Sequence, residues 1–171
     1  MYKLKKNLVL TGMMGTGKST IGNSLSKKLK KEFIDIDYII EEKLSLSIFQ
    51  IFQDKGEKFF RKIEEEESKK YLKKNGAVIA LGGGAFINEK IRKYVKENSF
   101  SVWLDLDNSK LFKKLENNKK RPLLENISEK DFKKLHDERK KVYSLADFKI
   151  NCDFKSKDQI VEEIQKIYEN I

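Results

Sequence analysis

The chain has 171 residues, with 37 lysine and arginine residues against 27 aspartate and glutamate residues, and a formal net charge of +10. This length fits one domain spanning residues 1–171, and no apolar run is long enough to cross a bilayer, so no membrane partner is expected. The single cysteine, Cys152, excludes an internal disulfide and is typical of a reducing compartment. Only a short apolar stretch follows the basic N-terminal residues, so no signal peptide is predicted and a cytoplasmic location is expected.

The positive charge is spread along the chain. Lysines are interleaved with glutamates, as in residues 64–74, and no compact basic block with interleaved aromatics occurs. This pattern is typical of solvated helix surface, so nucleic acid is not expected as a partner. Because lysine supplies nearly every positive charge, the few arginines are candidates for planar, bidentate binding of carboxylate or phosphate, and a random scatter is the alternative. The arginines are Arg61, Arg92, Arg121 and Arg139.

A complete phosphate-loop motif, G-x-x-x-x-G-K-[ST], occupies residues 12–19 and follows a short apolar stretch at 7–11 that predicts a strand. The loop glycines allow backbone N–H groups to turn inward around an anion. The helix that starts near Lys18 directs its positive dipole end to the same place. Lys18 can reach the outer phosphates, and the Ser19 hydroxyl can bind Mg²⁺. The motif therefore predicts binding of a nucleoside triphosphate with Mg²⁺.

Strand and helix patterns alternate along the rest of the chain. Five strands separated by helices predict an α/β fold in which helices cover both faces of a parallel sheet. The helical insertion at about 38–74 and the stretch at about 118–128 are expected to move. Strands are predicted at 7–11, 33–37, 77–81, 100–106 and 148–152. Helices are predicted from Lys18 to Leu29, at 38–53 with a break near Ser45, and at 59–74, 88–97, 109–116, 129–145 and 158–168.

Two acids close the second predicted strand, and the ends of strands are where open α/β sheets bind their ligands. Strand alternation places the carboxylates of Asp35 and Asp37 on one face, with Ile36 on the other. Two neighbouring acids repel each other unless a cation or a donor lies between them. We therefore expect Mg²⁺ beside one acid and a substrate hydroxyl beside the other. The alternative is that Asp37 caps the helix that follows.

Three consecutive glycines at residues 82–84 follow the buried strand at 77–81. They favour close backbone contact with a ligand, and a tight turn is the alternative. Arg121 lies in the irregular stretch at 118–128, from which it can fold over a nucleotide and neutralise charge on the transferred phosphoryl group.

The other arginines and the histidine divide into cleft and surface candidates. Arg61 and Arg139 can hold a small carboxylate if both point into the cleft, because two guanidinium forks match such an anion. Arg92 lies between lysines in a predicted helix and is expected on the surface. His136, the only histidine, is also predicted on exposed helix surface, with no catalytic role.

Together these features resemble shikimate kinase, and the resemblance runs over nearly the whole chain. The ordered set of motifs is specific, whereas the phosphate loop alone is not; the set comprises residues 12–20, 33–37, 56–65, 81–85, 121–124 and 139–143. The resemblance implies a three-layer P-loop kinase with a five-stranded parallel sheet in the order 2-3-1-4-5. It also implies transfer of the ATP γ-phosphoryl group to the 3-hydroxyl of shikimate, a step of chorismate and aromatic amino acid biosynthesis.

The resemblance also implies roles for individual residues. The nucleotide is bound by Gly15, Thr16, Gly17, Lys18, Ser19, Thr20 and, from the lid, Arg121. Mg²⁺ is held by Ser19 and, through water, by Asp35. Shikimate is bound by Asp37, Arg61, Arg139 and the glycines Gly82, Gly83 and Gly84. The expected catalytic residues are Lys18, Asp37 and Arg121, with Asp37 orienting the attacking hydroxyl or accepting its proton.

Two alternatives stay open. A gluconate-type P-loop kinase is disfavoured because Asp37, Arg61 and Arg139 suit a compact hydroxylated ring acid. A basic nucleotide-binding module acting on nucleic acid would need a clustered basic and aromatic surface, which the sequence lacks.

Family members often have arginines beside the adenine where this chain has Lys114 and Lys155, so looser nucleotide selectivity is expected. Nothing in the sequence demands more than a monomer.

Overall fold

The computed structural model describes residues 6–116 and 127–171. In this part of the chain five strands alternate with seven α-helices, and no helix combines the length and apolar character needed to cross a membrane. The strands are β1 (Asn7–Thr11), β2 (Phe33–Asp35), β3 (Val78–Ala80), β4 (Ser99–Asp105) and β5 (Phe148–Asn151). The helices are α1 (Lys18–Leu29), α2 (Ile36–Leu44), α3 (Ile48–Leu72), α4 (Glu89–Asn98), α5 (Asn108–Glu116), α6 (Glu129–Tyr143) and α7 (Lys157–Glu169).

All five strands are parallel and form one sheet in the order β2-β3-β1-β4-β5, which confirms the predicted order. Every residue of the central strand β1 is buried, because helices cover both faces of the sheet. Leu8 and Leu10 pack with apolar residues of α1 and α7 on one face. Val9 packs with apolar residues of α2 to α6 on the other. This alternation gives the predicted three-layer architecture.

The carboxyl ends of the parallel strands meet at one edge of the sheet, and the candidate site lies there. The phosphate loop joins β1 to α1, the three glycines follow β3, and Asp35 ends β2. Most of the predicted lid at about 118–128, including Arg121, lies outside the described residues.

Two surface predictions are wrong. His136 is 6% exposed, and its ring nitrogen Nε2 lies 3.3 Å from the Leu106 carbonyl oxygen. It belongs to a buried stripe at helical spacing on α6, together with Phe132 and Tyr143, which its charged neighbours in the sequence conceal. Arg92 is half-buried and donates to the carbonyls of Phe86 (2.9 Å) and Ile87 (3.1 Å), so it ties α4 to the turn before it.

Candidate active site

The phosphate loop has the backbone shape that its glycines predict. Gly12, Gly15 and Gly17 have φ angles of 137°, 82° and 93°, which disfavour any residue with a side chain. Helix α1 follows without a side-chain cap, so its first N–H groups face the loop and can bind an anion. Side chains cap the N-termini of α2, α3, α4, α6 and α7, namely Asp35, Ser47, Asn88, Ser128 and Ser156.

A cavity of about 180 Å³ opens above the loop. Lys18 is buried at its base, where Nζ donates to the carbonyls of Gly12 (2.8 Å) and Met13 (2.9 Å). The Thr16 hydroxyl donates to the Met13 carbonyl at 2.8 Å, so this side chain folds into the loop itself. The residues lining the cavity are Gly15, Gly17, Lys18, Ser19, Thr20, Asp35, Asp37, Leu81, Gly83 and Lys114.

The prediction that Asp35 and Asp37 alternate along one strand is wrong. Strand β2 ends at Asp35, and α2 begins at Ile36. Asp35 is the N-cap, because its Oδ1 accepts from the backbone N–H groups of Asp37 (3.1 Å) and Tyr38 (3.3 Å). Capping satisfies two backbone donors that an isolated helix leaves without partners, which explains why the strand stops there. Asp37 lies in the first turn of α2, and both acids still line the phosphate cavity.

Ser19 and Asp35 fit a magnesium ion by their chemistry. Both present oxygen atoms to the phosphate cavity, and hard oxygen donors are what Mg²⁺ prefers. Both cap hydrogen bonds of Asp35 are accepted by Oδ1, so neither of them uses Oδ2. Residues 6–116 and 127–171 contain no cluster of three or more acidic, histidine or cysteine side chains able to hold a metal alone. Such a pair suits an ion that takes its remaining ligands from phosphates and water.

A second pocket adjoins the phosphate cavity and shares Asp37 and Gly83 with it. The structure brings Arg61 from α3 and Arg139 from α6 into this pocket, as expected. Its remaining lining residues are Met14, Ile48, Phe52, Phe60, Glu64 and Gly84. We call this space the acid pocket, because two guanidinium groups from separate elements face it.

The two arginines differ in their partners. Arg61 Nη1 lies 2.7 Å from Glu64 Oε2, and its Nε lies 3.2 Å from Glu57 Oε1. Arg139 is 9% exposed, and its Nη1 lies 3.4 Å from the Gly83 carbonyl oxygen. Arg139 forms no ion pair with any carboxylate of the described residues. Its charge acts on the Glu64 carboxyl, whose pKa it lowers in part, but a buried guanidinium without a direct ion pair still favours an anionic ligand.

Glu64 is a site residue that sequence reasoning missed. Its side chain is 1% exposed, and burial raises its pKa to about 7. The nearby Arg61 guanidinium lowers this pKa in part, whereas the Asp37 carboxylate raises it. Glu64 is the first of four consecutive glutamates, so composition does not distinguish it. Its helical spacing of three residues from Arg61 is the signal that could have identified it.

The glycines after β3 make room for the site's own side chains. A Cβ atom on Gly82 would lie 2.6 Å from Asp37 Oδ1 and 2.8 Å from Glu64 Oε1. A Cβ atom on Gly84 would overlap the Arg61 guanidinium. A side chain at either position would therefore push the ends of Asp37, Glu64 or Arg61 out of their present places. The predicted contact with a ligand stays a prediction.

Tyr143 lies in the motif at 139–143, but sequence reasoning gave it no role. Its hydroxyl donates to the carbonyl oxygen of Gly83, which fixes the backbone between the two cavities. Burial raises the pKa of Tyr143 to about 12, although the Arg139 guanidinium lowers it in part. Tyr143 therefore stays a neutral donor at physiological pH.

Three predicted positions remain, namely Arg121, Lys114 and Lys155, and the structure describes the two lysines. Arg121 lies outside the described residues. Lys114 Nζ donates to the Gly15 carbonyl at 2.8 Å and so belongs to the phosphate cavity. Lys155 instead forms an ion pair with Glu163 on α7.

Comparisons with known proteins agree with this geometry. A family model described as shikimate kinase matches residues 14–169. A shikimate kinase from Sulfurihydrogenibium sp. (strain YO3AOP1) is 44% identical over 159 residues, covering 93% of this chain and 95% of the relative. The structure of a shikimate kinase from Acinetobacter baumannii in complex with shikimate superposes with a TM-score of 0.91 at 29% identity, covering 99% of this chain and 96% of that chain.

A gluconokinase from Sinorhizobium meliloti 1021 is a more distant structural neighbour. It has a TM-score of 0.58 at 14% identity, covering 98% of this chain and 93% of that chain, and this likeness shows only a common fold. The family match and the identity to the Sulfurihydrogenibium protein are far more specific. The chain therefore belongs to the shikimate kinase family.

Proposed function

We propose that this chain transfers the γ-phosphoryl group of ATP to the 3-hydroxyl of shikimate, in the pathway to chorismate and the aromatic amino acids. One observation supports the proposal: the acid pocket, which two guanidinium groups line, shares Asp37 and Gly83 with the phosphate cavity. A ring acid held by its carboxylate in the acid pocket can direct a hydroxyl toward Asp37 and the triphosphate.

The two arginines hold the substrate carboxylate in this proposal. Arg139 supplies a buried guanidinium that forms no direct ion pair with a carboxylate of the described residues, and Arg61 adds a second planar fork. Glu64 orients Arg61 from behind, and the backbone at Gly83 lies beside the ring. The helices α2 and α3 thereby form the substrate-binding insertion at about 38–74.

Phosphoryl transfer then depends mainly on position and charge. The substrate oxygen attacks the γ-phosphorus while the bond from that phosphorus to the β–γ bridging oxygen breaks, and ADP leaves. Asp37 orients the hydroxyl and accepts its proton. Lys18 and the uncapped N-terminus of α1 stabilise negative charge on the phosphates. Bound Mg²⁺, held by Ser19 and through water by Asp35, supplies further charge neutralisation.

The other parts of the proposal rest on the family and on composition. Arg121 acts from a lid at about 118–128, the protein is a monomer, and it works in the cytoplasm. No nucleic acid or membrane takes part.

An ADP-release assay with the purified protein tests the function. ATP and Mg²⁺ are supplied with shikimate, gluconate or other hydroxy acids in turn, and the phosphorylated product is identified by NMR. We expect turnover with shikimate, phosphorylation at its 3-hydroxyl and loss of turnover when EDTA removes the metal. Turnover with gluconate and none with shikimate would replace this proposal with the gluconate-type alternative.

A further inference from the structure

Glu64 is a buried acid whose protonation plays no part in phosphoryl transfer as proposed. Its side chain is 1% exposed, and its two oxygens have different surroundings. Oε2 lies 2.7 Å from Arg61 Nη1, whereas Oε1 is buried and has no hydrogen-bond partner within the described part of the chain. A buried carboxylate oxygen without a donor is costly as an anion, so Oε1 is the atom that favours a proton.

Charged groups from three helices surround this carboxyl. Arg61 lies on the same helix, α3, whereas Asp37 comes from α2 and Arg139 from α6. One Cβ atom on Gly82 would lie within 2.8 Å of both Glu64 Oε1 and Asp37 Oδ1, so the two carboxylates face the same small space. Burial raises the pKa of Glu64 to about 7, the two guanidinium groups lower it in part, and the Asp37 carboxylate raises it. Glu64 therefore changes charge near neutral pH.

The charge of the acid pocket depends on this proton. When Glu64 is ionised, two guanidinium groups face two carboxylates, so these four groups carry no net charge. When Glu64 is protonated, one positive charge is left over. Tyr143 adds no charge, because burial keeps it neutral, and Glu57 contacts Arg61 from a side chain that is 55% exposed, where water weakens its effect. An anionic substrate is therefore attracted more strongly to the protonated pocket.

We infer that Glu64 takes up a proton from solvent when the ring acid binds and releases it when the acid leaves; this inference rests on the proposed function. The substrate carboxylate brings a negative charge to Arg61, beside Glu64, and displaces water from the pocket. A nearby negative charge and loss of water both disfavour an ionised carboxyl. Glu64 is thus a positioning residue whose proton matches the pocket to an anion. By linkage, the acid binds more tightly below pH 7 than above it.

Isothermal titration calorimetry of shikimate without nucleotide, in buffers of different ionisation enthalpy, counts the protons taken up. If binding moves the pKa of Glu64 from about 7 to about 8, the wild type takes up about half a proton at pH 7.5, and Kd rises about sixfold between pH 6.5 and 8.5. Glu64→Gln should take up no proton and bind with a Kd that does not change with pH. The control is Glu57→Gln, which removes an exposed acid beside the same Arg61 and should keep the proton uptake.

NMR of the wild type with ¹³C in the glutamate side-chain carboxyls tests the inference without a substitution. One resonance should titrate near pH 7 in the free protein, and its midpoint should move to higher pH when shikimate is bound. An unmoved midpoint, or proton uptake that persists in Glu64→Gln, would overturn the inference. Binding of shikimate without proton uptake would overturn this inference alone, whereas absence of shikimate binding would overturn the proposed function as well.

Discussion

The buried carboxyl of Glu64 makes the stability of this protein depend on pH. Burial raises its pKa to about 7, compared with about 4.5 for an ordinary glutamate. Between these values the folded protein keeps a proton that the unfolded chain has released. The free energy of unfolding therefore falls as the pH rises through this range and levels off above it. At about 1.4 kcal/mol per pKa unit, the Glu64 contribution falls by about 2 to 3 kcal/mol between pH 5 and 8.

Urea unfolding of the wild type and of Glu64→Gln isolates this contribution. Both proteins are followed between pH 5 and 8 by the fluorescence of Trp103, the only tryptophan, which is 4% exposed. The amide cannot ionise, so the variant should gain about 2 to 3 kcal/mol relative to the wild type over this range. The control is Glu57→Gln, which removes a contact to the same Arg61 from a side chain that is 55% exposed.

The sign of the pH-dependent difference in unfolding free energy between wild type and Glu64→Gln tests whether the pKa of Glu64 is raised. If the wild type gains stability relative to Glu64→Gln as the pH rises, the ion pair with Arg61 outweighs the loss of water around Glu64. A difference that does not change with pH would show that Glu64 stays in one protonation state throughout. Either result would refute the conclusion that burial raises the pKa of Glu64 in the folded protein.

Three further predictions concern the acid pocket. Arg61→Lys should raise KM for the ring acid about 10- to 100-fold and leave KM for ATP nearly unchanged, because a single ammonium replaces a fork; equal effects on both constants would contradict the role. Asp37→Asn should abolish turnover while calorimetry still detects nucleotide binding, and loss of that binding would place Asp37 in the metal shell. Gly84→Ala should raise KM for the acid by displacing the Arg61 guanidinium, and a crystal structure with that group unmoved would count against it.

Much of the fold and part of the site could be predicted from the sequence. Apolar runs and the glycine-rich motif placed the five strands, and the scarcity of arginine singled out Arg61 and Arg139. Arg61 and Arg139 are far apart in the chain, and the structure brings them together only because α3 and α6 pack against the same face of the sheet. Their roles toward substrate stay predictions.

Other features were not accessible from local patterns. Strand β2 ends at Asp35 because the Asp35 carboxylate caps α2. Whether Ile36 and Asp37 continue the strand or begin the helix therefore depends on this cap. His136 has charged neighbours in the sequence but faces Leu106 across the packed fold. In the sequence Glu64 cannot be distinguished from the three glutamates that follow it. Only the fold places its carboxyl beside Gly82 and near Asp37.

The sequence by itself determined the phosphate loop, the alternation of strands and helices, and the family, because these depend on residue types at short, regular spacing. Only the tertiary structure decided which side chains lose water: Glu64 and Arg139 become buried, whereas the apolar Phe154 stays exposed. Burial depends on what other elements of the chain pack against a residue. That packing sets the pKa of Glu64 and the burial of the Arg139 guanidinium.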